Sequence, residues 1–313
     1  QRQMCIRDSC ERVRILKDIP MATKFQDIQP IKKGMSSDEK YFVTAQNGEH
    51  FLLRLAEYKE FDRKKAEYEL MKKLFHLNIP MPSPIDFGVC NNESSVYTLL
   101  SWIDGEEAEI AIPKLSKEKQ YELGKESGRI LQRIHTLNAP ENTEDWETRY
   151  FSTMDKRLEA FRREGILFEG NDIILNYIDT NRHMLQKRPQ CYHHGDYHLG
   201  NLIQSKSGQL FVIDWHTVDF ENYGDPWYEF NRIGMEYPYF ASGQIDGYFD
   251  NHVPEDFWKL LAYYLSASAI TSIVWSKYFA PDRLSSILEL NQNVLKWFDH
   301  MNSTVPTWYT QVK

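Results

Sequence analysis

Three side chains in the second half of the chain have the types and the spacing needed for phosphoryl transfer to a hydroxyl group. Asp196 is followed five positions later by Asn201, and an apolar run at 210–213 leads directly to Asp214. A carboxylate can orient a hydroxyl group and accept its proton. An amide oxygen and a second carboxylate are hard ligands that suit Mg²⁺ held together with phosphates. Each residue alone is better explained as a solvated loop acid or a turn asparagine, but the three together, with an apolar run before Asp214, favour this chemistry.

Arg54 and Glu67 provide an independent indication in the first third of the chain. Protein kinases hold nucleotide phosphates with a cation on a strand, which pairs with a carboxylate on the next helix, and their catalytic loops have the same Asp-to-Asn spacing. Arg54 lies among apolar residues, and Glu67 shares a helical stripe with the apolar residues three, four and seven positions later. Because a buried carboxylate needs a partner, we predict an Arg54–Glu67 pair, with Glu69 as the alternative to Glu67.

The segment 33–40 precedes this region and is the candidate for a loop that covers the nucleotide phosphates. It contains one glycine and no Gly-rich phosphate motif. Backbone N–H groups and the hydroxyls of Ser36 and Ser37 could bind phosphate. The alternative is an ordinary turn.

The elements that must position these residues divide into a sheet-rich part and a helical part. The dipeptide Asn47-Gly48 between two β-rich runs predicts a hairpin. The first part is predicted to contain strands at 41–45, 51–55, 85–90 and 96–103 and a helix at 61–77. The second part is predicted to contain helices at 116–137, 150–163, 171–187, 255–278 and 283–300, with short strands at 202–203 and 210–213. This pattern predicts an α+β protein with a small antiparallel-sheet lobe, a larger, mainly helical lobe and a ligand cleft between them.

The predicted domain boundaries follow from this division. Residues 1–20 are expected to be an N-terminal extension, and residues 1–10 join no periodic pattern and are expected to be non-native. Residues 21–103 are predicted to form the nucleotide-binding N-lobe. Residues 104–313 are predicted to form the C-lobe with the catalytic loop and the acceptor site.

The chain resembles the aminoglycoside phosphotransferase family, within the protein-kinase-like and choline-kinase-like superfamily. The resemblance covers residues 25–310 and implies a bilobal protein-kinase-like fold. The segments that carry it are His194-Gly195-Asp196 with Asn201, Ile213-Asp214-Trp215, Leu52-Leu53-Arg54-Leu55 and Gly224-Asp225-Pro226-Trp227.

The resemblance also implies an activity and the residues that perform it. The implied enzyme transfers the γ-phosphate of ATP or GTP to an alcohol group, with Mg²⁺ as cofactor. Asp196 is implied to be the catalytic base, Asn201 and Asp214 to bind Mg²⁺, and Ser101 to Ile103 to form the hinge that contacts the adenine.

Two positions depart from the protein-kinase pattern. Arg54 stands where many kinases have lysine, so the charge is kept but a planar fork replaces a compact ammonium. Trp215 follows the implied metal ligand in place of Phe-Gly, so a flipping activation segment is not implied.

The stretch 216–256 is rich in acids and aromatic residues. It contains nine acids and one base and so carries a net charge of −8, which equals the formal charge of the whole chain. Carboxylates beside flat rings suit an amino sugar or another amine-bearing alcohol. The alternative is a solvated acidic surface over an aromatic core. The predicted acceptor-binding residues are Asp219, Glu221, Glu229, Glu236 and Trp227.

Other functions fit parts of the sequence. A metal-dependent hydrolase could use the histidine and aspartate residues of 193–216, but it would not explain Asn201 or the Arg54–Glu67 pair. Adjacent histidines on an extended segment also point to opposite faces. A nucleotide-binding module without catalysis is disfavoured because Asp196, Asn201 and Asp214 are all present. Within the kinase class, a macrolide, a choline-like alcohol or a sugar metabolite remains open as the acceptor, as does a role in antibiotic resistance.

Composition limits the partners and the compartment. The net charge of −8 argues against nonspecific binding of nucleic acid. Four cysteines at unrelated spacings form no disulfide framework and indicate a cytoplasmic protein. Residues 1–20 carry both charge signs and no apolar core, so no signal peptide is expected. The longest uncharged run, 260–276, is too short and too polar for a membrane span and predicts a buried helix. The sequence leaves the oligomeric state open.

Overall fold

The computed structural model describes residue 16 and residues 18–32, 37–215, 222–233 and 237–310. Within these ranges the protein forms two compact units. The first unit comprises the described residues up to 106 together with 202–215, and the second comprises 107–201 and the described residues from 222 onward. The sequence-based boundary at 103/104 places 202–215 in the C-terminal lobe. In the structure this segment joins the first unit because the N–H of Val212 donates to the carbonyl of Pro80 at 2.8 Å and Lys206 pairs with Asp104.

The regular elements of the described chain have the following bounds. The strands are β1 (Phe25–Ile31), β2 (Glu39–Ala45), β3 (His50–Glu57), β4 (Pro84–Cys90), β5 (Ser95–Ser101), β6 (Gly105–Glu107), β7 (Cys191–Tyr192), β8 (Leu202–Ser205), β9 (Leu210–Val212) and β10 (Tyr223–Gly224). The α-helices are α1 (Phe61–His76), α2 (Ala108–Ala111), α3 (Lys117–Ile134), α4 (Trp146–Glu164), α5 (Asn171–Asn181), α6 (Pro238–Tyr248), α7 (Glu255–Phe279) and α8 (Leu284–Trp297). Short 3₁₀ helices include Leu199–Asn201, Arg182–Leu185 and Pro226–Arg232.

The first unit contains an antiparallel sheet in the order β1-β2-β3-β5-β4. The predicted hairpin is formed by β2 and β3, and Gly48 in its turn has a φ of +84°, a backbone conformation that glycine adopts without strain. Strand β3 alternates strictly, with Phe51, Leu53 and Leu55 buried in the core. Helix α1 packs on β4 and β5. The alternation therefore sends the intervening residue, Arg54, to the opposite face of the sheet.

Helices α3 and α6 form a close pair in the second unit. Gly124 and Gly128 on α3 face Gly243 and Gly247 on α6, and a Cβ atom at any of the four would overlap a backbone carbonyl oxygen of the other helix. The absence of side chains at these positions allows the two backbones to touch. Helix α3 begins as predicted, because the hydroxyl of Ser116 accepts from the N–H of Lys119.

Helix α7 is the central helix of the second unit's core. It packs with α4 and α5 around a cluster that includes Trp146, Phe161, Tyr264 and Ile270. Within the described residues it is the one helix long and apolar enough to cross a membrane. Because 72% of its apolar stretch is buried inside the structure, we interpret it as a core helix, in agreement with the predicted buried helix.

Candidate active site

The loop 193–201 in the second unit is held by the carboxylate of Glu229. Oε2 of Glu229 accepts from the N–H of His194 at 2.8 Å, and Oε1 accepts from the N–H of Gly195 at 2.7 Å. Gly195 has a φ of +83°, which a residue with a side chain adopts only with strain. Nε2 of His135, at the end of α3, is 3.1 Å from Oε2 of the same carboxylate. The backbone before Asp196 is thus fixed by a buried charge.

A second anchor of the loop is Tyr197. Its ring is buried, and its hydroxyl donates to the carbonyl of Ser127 on α3 at 2.9 Å. Gln244 on α6 donates to Oγ of Ser127 at 3.0 Å. The close packing of α3 and α6 therefore positions the loop residue next to Asp196.

Asp196 is half-buried and is surrounded by donors and cations. Its Oδ2 accepts from Nδ2 of Asn201 at 3.1 Å and lies 3.2 Å from Nε2 of His198. Nη1 of Arg232 is 2.8 Å from Oδ1, at ion-pair distance although outside hydrogen-bond geometry. Burial opposes ionisation, but the hydrogen bond from His198 and the charge of Arg232 lower the pKa of Asp196 to about 2. The group is therefore a carboxylate at neutral pH and can accept a hydrogen bond from a hydroxyl group.

Asn201 is turned so that its amide nitrogen faces Asp196. Nδ2 donates both to the carbonyl oxygen of Asp196 at 2.9 Å and to its carboxylate. The amide oxygen is then the atom that remains for a metal ligand, and oxygen is the ligand type that Mg²⁺ requires. The donor set of Asn201 therefore fits the predicted metal site.

The described histidines of the loop are used to shape it. Nε2 of His193 is 2.9 Å from the carbonyl oxygen of Asp225, and burial lowers the pKa of this imidazole. Nδ1 of His194 accepts from the N–H of Asp196. Nδ1 of His198 accepts from the N–H of Gly200 at 3.0 Å, which leaves its proton on Nε2, facing Asp196. Among the described residues no three His, Cys, Asp or Glu side chains group as a metal site, and His216 lies outside these residues.

In the first unit, Arg54 and Glu67 lie together, but they are part of a larger buried charge cluster. Nη1 of Arg54 is 3.4 Å from Oε1 of Glu67. The shorter contacts of Arg54 go to Oδ2 of Asp38, at 2.7 Å from Nη2 and 3.0 Å from Nε. Nζ of Lys64 is 2.6 Å from the same Oδ2 and 3.3 Å from Oε2 of Glu67. Glu69, the alternative partner, is on the exposed side of α1 and pairs with Lys72.

Asp38 and Lys64 are functional candidates that the sequence interpretation did not include. The sequence pattern predicts no specific role for Asp38, which lies in the segment 33–40, or for Lys64. One signal was present for Lys64, because it precedes Glu67 by three positions and so lies on the same helical stripe. Burial opposes ionisation of Asp38, but the adjacent Arg54 and Lys64 lower its pKa.

The other predicted nucleotide-binding residues have less specific surroundings. Ser36 lies outside the described residues, and Ser37 is exposed. Oγ of Ser101, at the end of β5, accepts from the N–H of Ser83 at 2.8 Å. Ile103 is half-buried.

Asp214 follows β9 directly in the first unit. It is exposed and has a φ of +62°, an uncommon conformation for a residue with a side chain. The next residue, Trp215, is buried, and its Nε1 donates to the carbonyl of Val212 at 3.0 Å. This anchor fixes the turn that contains the exposed residue Asp214.

The acids of the stretch 216–256 divide into groups with different roles. Asp219, Glu221 and Glu236 lie outside the described residues. Asp225, Glu229 and Asp246 are buried and bind side chains or backbone groups within the unit. Asp250, Glu255 and Asp256 are exposed. The described part of the stretch is thus neither wholly a solvated surface nor a row of accessible carboxylates, because three of its acids are buried and accept hydrogen bonds from other groups of the protein.

Trp227, a predicted acceptor-binding residue, has identifiable neighbours in the structure, and its role at an acceptor stays a prediction. Its ring lies under the guanidinium of Arg188 at 4.0 Å and packs against Phe249 and Phe257. Arg188 in turn donates to both carboxylate oxygens of Asp225. Trp227 is therefore a half-buried residue that packs beside this ion pair.

The comparisons with known proteins agree with these features. The phosphotransferase enzyme family (APH) matches residues 27–257, well over half of the chain. Comparison of the sequence with curated proteins gave no match.

Several solved structures share the fold. A choline/ethanolamine kinase family protein from Mesorhizobium loti is 14% identical, with a TM-score of 0.63 over 95% of this chain and 97% of that chain. The ADP-bound aminoglycoside phosphotransferase APH(2'')-Ib is 16% identical, with a TM-score of 0.60 over 91% of this chain and 97% of that chain. The amicoumacin kinase hAmiN, in complex with AMP-PNP and Ca²⁺, is 13% identical, with a TM-score of 0.59 over 95% and 97%.

These likenesses confirm the predicted α+β, protein-kinase-like fold, with an antiparallel-sheet unit and a larger, mainly helical one. The family match confirms the resemblance drawn from the loop and strand motifs. The chain belongs to the phosphotransferase enzyme family and is a phosphotransferase with an alcohol group as acceptor.

Proposed function

We propose that the protein is a small-molecule kinase that transfers the γ-phosphate of ATP or GTP to a hydroxyl group of its acceptor. The observation that carries this proposal is the surroundings of Asp196. Its carboxylate is ionised, accepts from Asn201 and lies beside His198 on a loop whose backbone is held by Glu229. Such a group can bind the acceptor hydroxyl, orient its oxygen toward the phosphorus and take up the proton.

Asn201 and Asp214 are the residues that we propose to hold Mg²⁺. The amide oxygen of Asn201 and the carboxylate of Asp214 are oxygen ligands of the kind that this ion prefers. A magnesium ion bound there would neutralise charge on the phosphates of the nucleotide. Asp196 positions the hydroxyl group and accepts its proton.

The charge cluster of the first unit is proposed to bind the nucleotide phosphates. Arg54 carries the charge that the phosphates require, and Glu67 and Asp38 hold its guanidinium in one orientation. Nucleotide use is supported by the ADP and AMP-PNP complexes among the structures that share the fold. Ser36, Ser37 and the segment Ser101 to Ile103 remain predictions from the sequence.

The acceptor predicted from the sequence is an aminoglycoside-like or other amine-bearing alcohol. Structures that share the fold include aminoglycoside phosphotransferases and a choline/ethanolamine kinase family protein. Those names describe the other proteins, and at 14–16% identity they support the fold of this chain rather than its acceptor. We also propose that the protein acts in the cytoplasm, where both nucleotides are available.

Three variants test the roles of the two aspartates. Asp196→Ala is expected to abolish nearly all phosphoryl transfer while leaving Mg-nucleotide binding intact, because Asp196 acts on the acceptor. Asp214→Ala is expected to weaken Mg-nucleotide binding, because it removes a metal ligand. Asp256→Ala removes an exposed carboxylate at the start of α7 and serves as the control.

The measurements are nucleotide consumption with a panel of alcohols and the rise in melting temperature on adding nucleotide with Mg²⁺. The proposal fails if Asp196→Ala retains the activity of the control with an acceptor that the wild type phosphorylates. It also fails if Asp214→Ala binds Mg-nucleotide as tightly as the control.

A further inference from the structure

The second unit contains a large cavity beside the loop that carries Asp196. Its volume is about 840 Å³, which is within the size of pockets that bind drug-sized ligands. Gly195 and Tyr197, the neighbours of Asp196, line it, as does Arg232, which lies 2.8 Å from the Asp196 carboxylate. Helices α4, α7 and α8 form the remaining walls. The cavity therefore adjoins both sequence neighbours of Asp196, and Arg232 links its wall to the Asp196 carboxylate.

The walls of this cavity include many aromatic side chains. Such surfaces favour flat, apolar ligands, because rings bury a large area and stack with one another. Two of these residues, Trp275 and Tyr278 on α7, are 47% and 57% exposed, so part of each side chain is not covered by core packing. The aromatic lining residues include Trp146, Tyr150, Tyr228, Trp275, Tyr278 and Phe279.

The charged groups on the described walls are mostly positive. Four arginines line the cavity, namely Arg149, Arg157, Arg232 and Arg283, and the one acid among the described lining residues is Glu229. Glu229 is buried, and its two oxygens bind the loop N–H groups and His135, so it is not available to a ligand.

The four arginines differ in what they already bind. Arg149 is held by the carbonyls of Glu144 and Tyr223 and by Gln190. Arg232 pairs with Asp196. The exposed side chains of Arg157 and Arg283 make no hydrogen bond or ion pair with the described part of the chain. These two guanidinium groups can therefore bind an anion without losing a partner.

We propose that this cavity is the acceptor site and that the acceptor is an aromatic alcohol that carries an anionic group such as a carboxylate. This inference rests on the proposed kinase function. The aromatic walls take the rings, Arg157 and Arg283 face the anion, and the hydroxyl group meets Asp196. In the transfer, a bond forms between the hydroxyl oxygen and the γ-phosphorus, and the bond from that phosphorus to the bridging oxygen breaks. The nucleoside diphosphate leaves with the electron pair, and the hydroxyl proton passes to Asp196.

A polycationic amino sugar fits these walls poorly. Its ammonium groups would face arginines, and like charges in one site repel. The described lining residues offer no carboxylate that is not already bound within the protein. The described walls of this cavity thus differ in charge from the acidic acceptor site that the sequence predicts, three of whose acids lie outside the described residues.

The test uses three naphthalene alcohols that differ only in charge. They are 6-(hydroxymethyl)-2-naphthoic acid, the corresponding amide and the corresponding aminomethyl compound. Binding to the full chain without nucleotide is measured by tryptophan fluorescence and calorimetry, and phosphoryl transfer is measured with ATP and Mg²⁺. We expect the naphthoate to bind about fivefold more tightly than the amine, since one exposed ion pair contributes up to about that factor.

Matched variants separate the contribution of the arginine charges to binding from the contribution of the aromatic rings. Arg157→Gln/Arg283→Gln is expected to weaken naphthoate binding roughly fivefold and to leave amide binding unchanged. Arg162→Gln/Arg163→Gln removes two exposed charges from the outer face of α4 and should change neither. Trp275→Ala is expected to weaken binding of all three compounds about threefold to tenfold. Tyr58→Ala removes an equally exposed ring from the first unit and is its control.

The outcomes separate this inference from the proposed kinase function. Tighter binding of the amine than of the naphthoate overturns the inference, as does equal weakening by the two arginine double variants, whether or not the protein phosphorylates any alcohol. Equal effects of Trp275→Ala and Tyr58→Ala would also overturn the assigned aromatic wall. Naphthoate binding without nucleotide binding would instead overturn the kinase function and leave the ligand preference standing.

Discussion

Nζ of Lys64 lies 2.6 Å from Oδ2 of Asp38, and both side chains are almost fully buried. The same carboxylate oxygen is 2.7 Å from Nη2 of Arg54. One oxygen therefore neutralises a cation from α1 and a cation from β3, and it ties the helix to the sheet. Arg54 occupies the strand position where many kinases have lysine. In this protein the helix adds a second cation, Lys64, at the same carboxylate oxygen.

Replacing Asp38 with asparagine should destabilise the protein by about 3–5 kcal/mol, because it leaves two buried cations without their shared partner. Lys64→Met should restore part of that loss in the double variant, since it removes one of the two unpaired charges. The free energies of unfolding in urea for both single variants and the double variant give the coupling energy. Glu69→Gln on the exposed side of α1 is the control, and strictly additive losses would contradict the assigned pairing.

Acid should weaken this cluster in a defined pH range. Burial opposes ionisation of Asp38, but Arg54 and Lys64 lower its pKa below the usual value. Because the pKa in the folded state is lower than the pKa near 3.9 in the unfolded chain, the stabilisation is present above about pH 4. It is lost as the pH falls through the folded-state pKa. Lys64→Met should therefore show a smaller drop in unfolding free energy between pH 5 and pH 3 than the wild type, and an equal drop would contradict this account.

The elements predicted from the sequence were those with strong local signals. The β2–β3 hairpin has an Asn-Gly turn between β-rich runs, and α7 has a long apolar stretch. Strand β1 was missed because Gln, Asp and Pro30 do not favour strands, and an edge strand tolerates them. Helix α6 was missed because it contains Gly243 and Gly247. Both glycines weaken the helical signal, although close contact with α3 requires them.

The contacts within the candidate site could be predicted where the partners lie a few positions apart in the chain. The Asp196-to-Asn201 spacing places both residues in one loop, where they are hydrogen bonded. Asp38, Glu229 and His135 could not be assigned in this way, because their partners lie 16 to 94 positions away in sequence. The amine-bearing acceptor inferred from the acidic composition of 216–256 stays a prediction, because a count of charges does not show which carboxylates are buried and already bound.

Gly128→Ala should disrupt the packing of α3 against α6. A Cβ atom at this position would overlap the carbonyl oxygen of Gln244, which belongs to the α6 backbone and cannot rotate away. We expect a loss of about 1–3 kcal/mol in the free energy of unfolding, as for overpacked cores. Activity should fall as well, because Tyr197 is anchored to the neighbouring Ser127. Glu122→Ala, on the exposed face of α3, should change neither stability nor activity, and equal effects of the two variants would contradict the prediction.

Two bidentate arginine–aspartate pairs offer a direct comparison of burial. Arg188 donates to Asp225, whose side chain is fully buried, whereas Arg182 donates to the half-exposed Asp155. Arg188→Gln should cost about 3–5 kcal/mol, because it leaves a buried carboxylate without its cation. Arg182→Gln should cost about 1 kcal/mol or less. Thermal or urea unfolding measures both, and similar losses would show that burial of Asp225 does not set the strength of its pair.

Glu229→Gln should impair the catalytic loop more than Asp225→Asn, which replaces the other acid in the stretch 222–233 with its amide. Each carboxylate oxygen accepts from one N–H group, so in a glutamine the NH2 group that replaces one oxygen would face the N–H of either His194 or Gly195, and two donors cannot bond to each other. We expect a loss of about 1–3 kcal/mol in unfolding free energy and a large fall in kcat with little change in nucleotide binding.

Burial opposes ionisation, but the hydrogen bond from His135 and the neighbouring imidazoles lower the pKa of Glu229 to about 2. Its stabilisation is therefore complete above about pH 4.3 and is lost as the pH falls toward 2, so the variant should lose less stability than the wild type over that interval. Glu255→Gln, an exposed acid at the start of α7, is the control, and loss of kcat in both variants alike would contradict the assigned role of Glu229.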